Sequence, residues 1–204
     1  MIFTKLNVLR YTINFKTIIA LSLCSSAIFF VSCNKNEDVA KPLGEIRLEY
    51  PTQTYVQFTE NAPYTFQYSN FGKIVKGKQP NWYVVSYPKM KATIYLTYFP
   101  INSPQDLIIK IKESERFVQD QTVKASFISP QEFSFPKKRV FGTLYELGGE
   151  SAINMQFHAT DSSKNFITGS VYFKTQPKPD SLAPAVDYIK KDVKKLLETL
   201  EWKK

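Results

Sequence analysis

The sequence predicts a single α+β domain in which a mainly antiparallel β-sheet is covered by two helices. Three observations support this: alternating apolar residues dominate the chain, two segments switch to helical spacing, and the elements do not alternate as strand-helix-strand in the way of a parallel sheet. The chain has 204 residues, which is enough to bury a sizeable core in one domain.

The strongest strand signal is the segment 82–100, which reads WYVVSYPKMKATIYLTYFP. It predicts two strands, 82–87 and 91–99, which meet at a hairpin corner formed by Pro88-Lys89-Met90. Alternating runs predict six further strands, at 45–51, 55–58, 64–71, 140–149, 152–161 and 166–175.

Turn residues predict how these strands are connected. Gly148-Gly149 and Asp161–Asn165 have the composition of hairpin turns. The segment 71–82 holds two glycines, a proline and three lysines, and is predicted to be an exposed turn region. The segment 129–139 holds two prolines and is predicted to be a linker.

Two amphipathic helices are predicted. The first covers 102–121, where Asn102 or Ser103 can cap the helix and Pro104 suits its first position. Its apolar stripe is expected to face the sheet, opposite a polar face that includes Lys110, and comprises Leu107, Ile108, Ile111, Phe117 and Val118. The second helix covers 181–202, and its apolar stripe comprises Val186, Ile189, Val193, Leu196, Leu197 and Leu200.

Residues 1–32 are predicted to be a lipoprotein signal peptide. Three basic residues precede an apolar run at 18–31, and no acidic residue occurs before Glu37. The run is shorter than the ~20 residues of a bilayer-spanning helix, and a retained anchor helix is the alternative. Val31-Ser32-Cys33 resembles a bacterial lipobox, whose thiol receives a diacylglyceryl group and acyl chains such as palmitate. Cys33 is therefore the predicted lipidation site and first mature residue.

The mature chain is predicted to consist of a tether and one domain. Residues 33–43 are polar, contain Pro42 and read as a flexible tether, and 44–204 form the domain. Three of the 27 basic residues leave with the signal whereas all 18 acidic residues stay, so the net charge falls from +9 to +6. An exported basic chain is expected to meet anionic lipid, glycan or acidic protein surfaces, and no nucleic-acid partner is predicted.

Thirteen aromatic residues lie between Tyr50 and Phe99. Because aromatic residues favour strands and dominate cores, most of them are expected to be core residues. The alternative is an aromatic platform on one sheet face that binds a glycan or a peptide.

The sequence offers few candidates for catalysis. His158 is the only histidine and lies in the middle of a predicted strand without a nucleophile motif. Asp161 and Glu150 are a candidate carboxylate pair for glycoside hydrolysis, although Asp161-Ser162-Ser163 is better explained as a turn. One histidine and no second thiol in the mature chain predict neither a metal site nor a cofactor. The chain is therefore not expected to be an enzyme.

Asp180-Ser181-Leu182 matches a short O-glycosylation pattern used by some Bacteroidota. Capping of the last helix by Asp180 or Ser181 explains the same residues equally well.

Four segments together resemble the gliding motility lipoprotein GldD family of the Bacteroidota. They are RLEYP (47–51), YPKMKATIYLTY (87–98), TDSSKNFITGSVYF (160–173) and PAVDYIKKDVKKLLETLEW (184–202). The resemblance includes the lipobox cysteine and covers nearly all of the mature chain. The order of elements also resembles the Mog1/PsbP-like sandwich, a likeness that carries no function.

The resemblance implies an outer-membrane-associated lipoprotein required for gliding motility and type IX secretion, acting as a non-enzymatic assembly or stabilising component. Its implied partners are other gliding-motility and type IX secretion lipoproteins and membrane components. Only Cys33 carries over as a functional residue, and acidic residues shortly after it resemble a surface-export tag, which leaves the membrane leaflet open. The alternative function is a periplasmic module that binds peptidoglycan or another saccharide through an aromatic sheet face.

Overall fold

The computed structural model describes residues 50–174 and 179–203. The two helices are α1 (Pro104–Gln119) and α2 (Pro179–Thr199). The strands are β1 (Tyr55–Gln57), β2 (Tyr64–Thr65), β3 (Gln67–Ser69), β4 (Lys73–Lys76), β5 (Tyr83–Tyr87), β6 (Ala92–Pro100), β7 (Ala125–Phe135), β8 (Val140–Gly149), β9 (Ile153–Thr160), β10 (Asn165–Phe173) and β11 (Glu201–Trp202).

Seven strands form one sheet in the order β4-β5-β6-β10-β9-β8-β7, and every neighbouring pair is antiparallel. Two short antiparallel pairs, β1–β3 and β2–β11, lie outside this sheet. The single α+β domain with an antiparallel sheet and two helices is thereby confirmed. The likeness to a Mog1/PsbP-like sandwich stays a prediction.

The face of the sheet under α2 is apolar. Ile94, Val171 and Met155 lie side by side across β6, β10 and β9, and none of the three is exposed to solvent. Burial of such a side chain stabilises the fold by ~1.5–3 kcal/mol. The second helix packs here through its predicted stripe, in which Val186 is half-buried and the other members are buried, namely Ile189, Val193, Leu196 and Leu197. Leu200 is also buried but lies just beyond the helix, which ends at Thr199 and not at 202 as predicted.

An aromatic cluster extends this core beyond the sheet. The Phe58 ring stacks on Phe66 with centroids 4.6 Å apart and meets the edge of Tyr83 at 4.9 Å. The C-terminal β11 pairs with β2, and the backbone N–H of Lys203 donates to Pro63 O at 2.8 Å. The prediction that aromatic residues form the core is therefore confirmed for those that pack under α2.

Two segments predicted to be irregular are strands. The region 71–82 contains β4, which pairs with β5, and the predicted linker 129–139 falls largely within β7. Pro130 lies in register with Tyr145, on the edge strand of the sheet. An edge strand tolerates proline because the missing N–H can point away from the neighbouring strand. The prediction of a linker from these prolines is therefore wrong.

The first helix begins as predicted but presents a different face to the sheet. Ser103 is its N-cap, and its Oγ accepts a hydrogen bond from the backbone N–H of Asp106 at 3.1 Å. The most buried helix residues are Ser114 and Val118, whereas Ile108 is 51% exposed and Phe117 is 38% exposed. The predicted apolar stripe is thus only partly correct.

The other strand and turn predictions differ in their outcomes. The corner at 88–90 is a 3₁₀ turn closed by Lys91 in the left-handed conformation, and the strands on either side of it are confirmed. Of the predicted strand at 45–51, only Tyr50 and Pro51 are described, and neither lies in a strand. Gly148 and Gly149 end β8, so the connection to β9 follows them.

Candidate functional site

A concave site lies between α1 and the sheet face opposite α2. It has a volume of about 630 Å³ and is lined by residues of α1, β6, β9 and β10. We call it the α1 cleft. Its position follows from the alternation of strand residues: those that face away from the α2 core point towards α1.

Aromatic rings form the walls of the α1 cleft. Tyr95 is 43% exposed, and its ring meets the edge of the Tyr172 ring at 5.5 Å between centroids. The two tyrosines are diagonal neighbours on the paired strands β6 and β10. Tyr95 is in register with Ser170, and Tyr172 is in register with Thr93. The aromatic lining residues are Tyr95, Phe99, Phe117, Phe166, Tyr172 and Phe173.

The floor of the α1 cleft is polar. Ser170 Oγ donates a hydrogen bond to Gln156 Oε1, and these residues lie opposite each other on β10 and β9. Thr97 and Thr168 continue the row on β6 and β10. Ser114 of α1 is only 4% exposed, and its hydroxyl has no hydrogen-bond partner among the described residues. A buried hydroxyl without a partner is costly.

Charged groups lie at both ends of the α1 cleft. Lys110 Nζ is 2.8 Å from Glu113 Oε2 and 4.7 Å from the centre of the Phe99 ring. Lys110 therefore faces the sheet, contrary to the predicted polar outer face of the helix. Lys174 is exposed and follows directly after β10. The cleft can thus offer ring faces, hydrogen-bond donors and positive charge to a ligand.

His158 lies on the same sheet face but is sealed from solvent. It is 5% exposed, and its ring stacks on Phe166 with centroids 5.7 Å apart. Burial lowers the pKa of His158 to about 4, so the imidazole is neutral near pH 7. Nδ1 has no hydrogen-bond partner among the described residues. His158 contacts the wall of the cleft through Phe166 and does not line it.

Asp161 is the centre of a turn, as predicted. Its Oδ1 accepts hydrogen bonds from the backbone N–H groups of Ser163, Lys164 and Asn165 at 2.7–2.9 Å. Burial alone would raise the pKa of Asp161, but these hydrogen bonds outweigh it and lower the pKa.

Glu150 and Asp161 do not form a carboxylate pair. They flank opposite ends of β9, whose eight residues span roughly 26 Å at about 3.3 Å per residue. Paired carboxylates of glycoside hydrolases lie within about 10 Å of each other. The candidate pair is therefore incorrect.

A buried carboxyl on α2 was not predicted. Asp192 is 1% exposed, and its Oδ1 accepts a hydrogen bond from Gln53 Nε2 at 2.7 Å. Oδ2 and the hydroxyl of Tyr87 each lack a well-aligned partner among the described residues. Burial raises the pKa of Asp192 to about 6, against the opposing effect of the nearby Tyr87 and Tyr55 hydroxyls and the Gln53 amide. The spacing Tyr188-Asp192-Leu196 was the available signal, because residues four apart share a helix face.

Two predicted modification sites have no described side chains. Cys33 and the tether lie outside the described residues. The side chains of Asp180 and Ser181 are also outside them, but α2 begins at Pro179 and so includes both residues within the helix instead of at its cap.

Within residues 50–174 and 179–203, no helix is both long enough and apolar enough to cross a membrane. In the same part of the chain, no three His, Cys, Asp or Glu side chains are grouped so that they could hold a metal ion.

Comparison with known proteins identifies the family. The family model described as gliding motility lipoprotein GldD matches residues 35–202, which is most of the 204-residue chain. A search of curated proteins finds none that matches. The match begins two residues after Cys33 and extends through β11. The chain therefore belongs to the gliding motility lipoprotein GldD family.

Proposed function

We propose that this protein is an outer-membrane-associated lipoprotein, anchored through Cys33, that supports gliding motility and type IX secretion. It acts as a non-enzymatic component that assembles or stabilises the machinery with other lipoproteins and membrane components. The observation that carries the proposal is the family match over residues 35–202, because members are gliding motility lipoproteins.

The positions of the three candidate catalytic residues support the non-enzymatic part of the proposal. The imidazole of His158 is buried against Phe166, and both oxygens of Asp161 accept hydrogen bonds within its own turn. Glu150 is at the far end of β9 from Asp161. His158 and Asp161 therefore have structural explanations that need no reaction, and Glu150 is not paired with Asp161.

Genetic complementation tests the proposal. Deletion of the gene should abolish both cell movement and secretion of type IX cargo, and stable His158→Gln and Asp161→Asn proteins at matched levels should restore both. Failure of either correctly anchored variant would indicate an active site and contradict the proposal.

The anchor is tested with a pair of cysteine variants. Cys33→Ala should remove the acyl groups seen by intact mass spectrometry and shift the protein out of the outer-membrane fraction. Cys24→Ala is the matched control, because Cys24 lies in the predicted signal peptide and should not affect the mature protein. Acylated, membrane-bound Cys33→Ala protein would refute the assignment.

A second function is favoured by one observation, the α1 cleft. Its aromatic walls and polar floor match a site that binds peptidoglycan or another saccharide. The faces of the sugar rings would lie on the aromatic side chains, and the sugar hydroxyl groups would face the polar floor. Retention of the purified protein by isolated cell-wall or capsular polysaccharide tests this function, and the absence of retention would oppose it.

A further inference from the structure

We propose that the α1 cleft binds an acidic oligosaccharide, whose sugar rings lie against the aromatic walls and whose carboxylates meet Lys110 and Lys174. This inference rests on the second function proposed above and specifies its ligand. The carboxylate can belong to a muramic-acid glycan or to a uronic-acid polysaccharide, which share this chemistry.

The lining distinguishes a sugar from an acyl chain. Every apolar side chain that lines the α1 cleft is aromatic, and none is a valine, leucine or isoleucine. An acyl chain would be matched by aliphatic walls without polar atoms, whereas the cleft has a row of hydroxyl and amide groups beneath its rings. Flat C–H faces of sugar rings match aromatic faces, and sugar hydroxyl groups match such a row.

The floor offers one free amide donor beside its hydroxyl groups. The acceptor oxygen of Gln156 already accepts from Ser170 Oγ, which leaves the amide Nε2 to donate. Ser114 adds a hydroxyl that is 4% exposed and has no partner among the described residues. An acceptor on the ligand, such as a carboxylate or carbonyl oxygen, matches the amide donor, whereas the hydroxyl group can donate or accept.

The two lysines lie near opposite ends of the α1 cleft, so a ligand of two or three sugar rings meets one of them and only a longer chain reaches both. Lys110 lies over Phe99, which is in register with Phe166 near the start of β10, and Lys174 follows the other end of this strand. Eight residues separate Phe166 from Lys174, or about 26 Å along the strand. Glu113 neutralises one positive charge, so the lining keeps a net positive charge that favours an anionic ligand.

Calorimetry with the purified full-length lipoprotein in detergent micelles tests the proposal. The probes are the disaccharide of N-acetylglucosamine and N-acetylmuramic acid, trigalacturonic acid, and neutral chitotriose. At least one acidic probe should bind about tenfold more tightly than chitotriose, because charge-assisted hydrogen bonds are the stronger ones. The acidic probe that binds better identifies the source of the ligand.

Matched variants locate the site. Lys110→Gln combined with Lys174→Gln should weaken binding of the acidic probe about tenfold, and Tyr172→Ala should weaken all saccharides about fivefold. Lys137→Gln removes an exposed lysine outside the cleft and should leave the affinity unchanged. If the double variant fails to fold, Lys174→Gln alone tests the contribution of positive charge, because an exposed residue can be replaced without loss of the fold.

Three outcomes overturn the inference in different ways. Equal binding of chitotriose and the acidic probes removes the acidic ligand but keeps saccharide binding. Unchanged affinity in the folded lysine variants removes the α1 cleft as the site. If no probe binds and polysaccharide does not retain the protein, the second proposed function fails too, whereas the role in gliding and secretion is tested separately by complementation.

Discussion

The two faces of the seven-stranded sheet are each covered by one helix, but their interiors differ. Under α2, residues such as Ile94, Val171 and Leu196 are at most 1% exposed and form a continuous apolar core. Under α1, the helix contacts the sheet through Ser114 and Val118 and leaves an open cleft with a polar floor. One face therefore forms the core of the fold, and the other leaves an open cleft.

The difference shows what amphipathic spacing does and does not specify. Both helices have apolar residues at helical spacing, but only α2 meets a complementary apolar sheet face. The sheet face under α1 alternates threonine, serine and glutamine with aromatic residues, so the helix turns two isoleucines to solvent, each 51% exposed. Four predictions test this comparison.

The largest effect is expected from a charge on the α2 side. Leu197→Asp should lower the free energy of unfolding by about 4 kcal/mol or more, because packing is lost and a carboxylate is buried. Ile108→Asp on α1 is the matched control and should cost less than about 1 kcal/mol, because the side chain is half-exposed. Chemical denaturation measures both, and equal losses would show that the α1 side is as well packed as the α2 side.

The α1 side should lose stability in acid because of His158. Its folded pKa of about 4 lies below the unfolded value of 6.5, so the unfolded chain takes up a proton first as the pH falls. The contribution of neutral His158 to the free energy of unfolding is complete above pH 6.5 and is lost between pH 6.5 and 4. The loss is up to about 3 kcal/mol. His158→Gln should remove this part of the pH dependence in denaturation at pH 7 and pH 4.5. An unchanged slope would place the imidazole in solvent.

The α2 side should respond to pH in the opposite direction because of Asp192. Its folded pKa of about 6 lies above the ordinary value of 3.8, so the unfolded chain releases its proton first as the pH rises. The contribution of Asp192 to the free energy of unfolding is then highest below pH 3.8 and decreases as the pH rises to 6. Asp192→Asn keeps the acceptor for Gln53 and should raise the free energy of unfolding at pH 7 by roughly 2 kcal/mol. Thermal unfolding at pH 7 that shows a lower Tm for this variant would contradict the prediction.

An effect of similar size concerns neighbouring residues of β10 that face opposite sides. A Cβ on Gly169 would lie 2.1 Å from the Phe157 ring in the α2 core, so Gly169→Ala should cost about 1–3 kcal/mol. Thr168→Ala shortens a half-buried side chain in the open α1 cleft and should cost less than about 1 kcal/mol. Denaturation curves compare the two, and a larger loss for Thr168→Ala would reverse the assignment of the faces.

Local patterns were sufficient for most elements. Alternation predicted β5, β6, β8, β9 and β10, and helical spacing predicted both helices, since each pattern reflects which residues of one segment share a face. The cap at Ser103 and the turn around Asp161 were also predictable, because both depend on a side chain that bonds to backbone groups a few residues away.

Long-range pairing was not encoded in the same way. Pro130 made β7 read as a linker, and only the pairing with β8 at the edge of the sheet explains why a proline is tolerated there. The two-residue β11 is too short to give a pattern, and it exists because the chain end lies beside β2.

The sequence by itself determined the class of fold, the apolar face of α2 and the family features that point to a lipid-anchored protein of the cell envelope. The tertiary structure decided which way α1 faces, the burial of Asp192 and His158, and the existence of the α1 cleft. The physical reason is that periodicity ranks the residues of one segment against each other. Burial, pKa and a cleft depend on side chains that distant segments bring together, as Gln53 is brought to Asp192 across 139 positions.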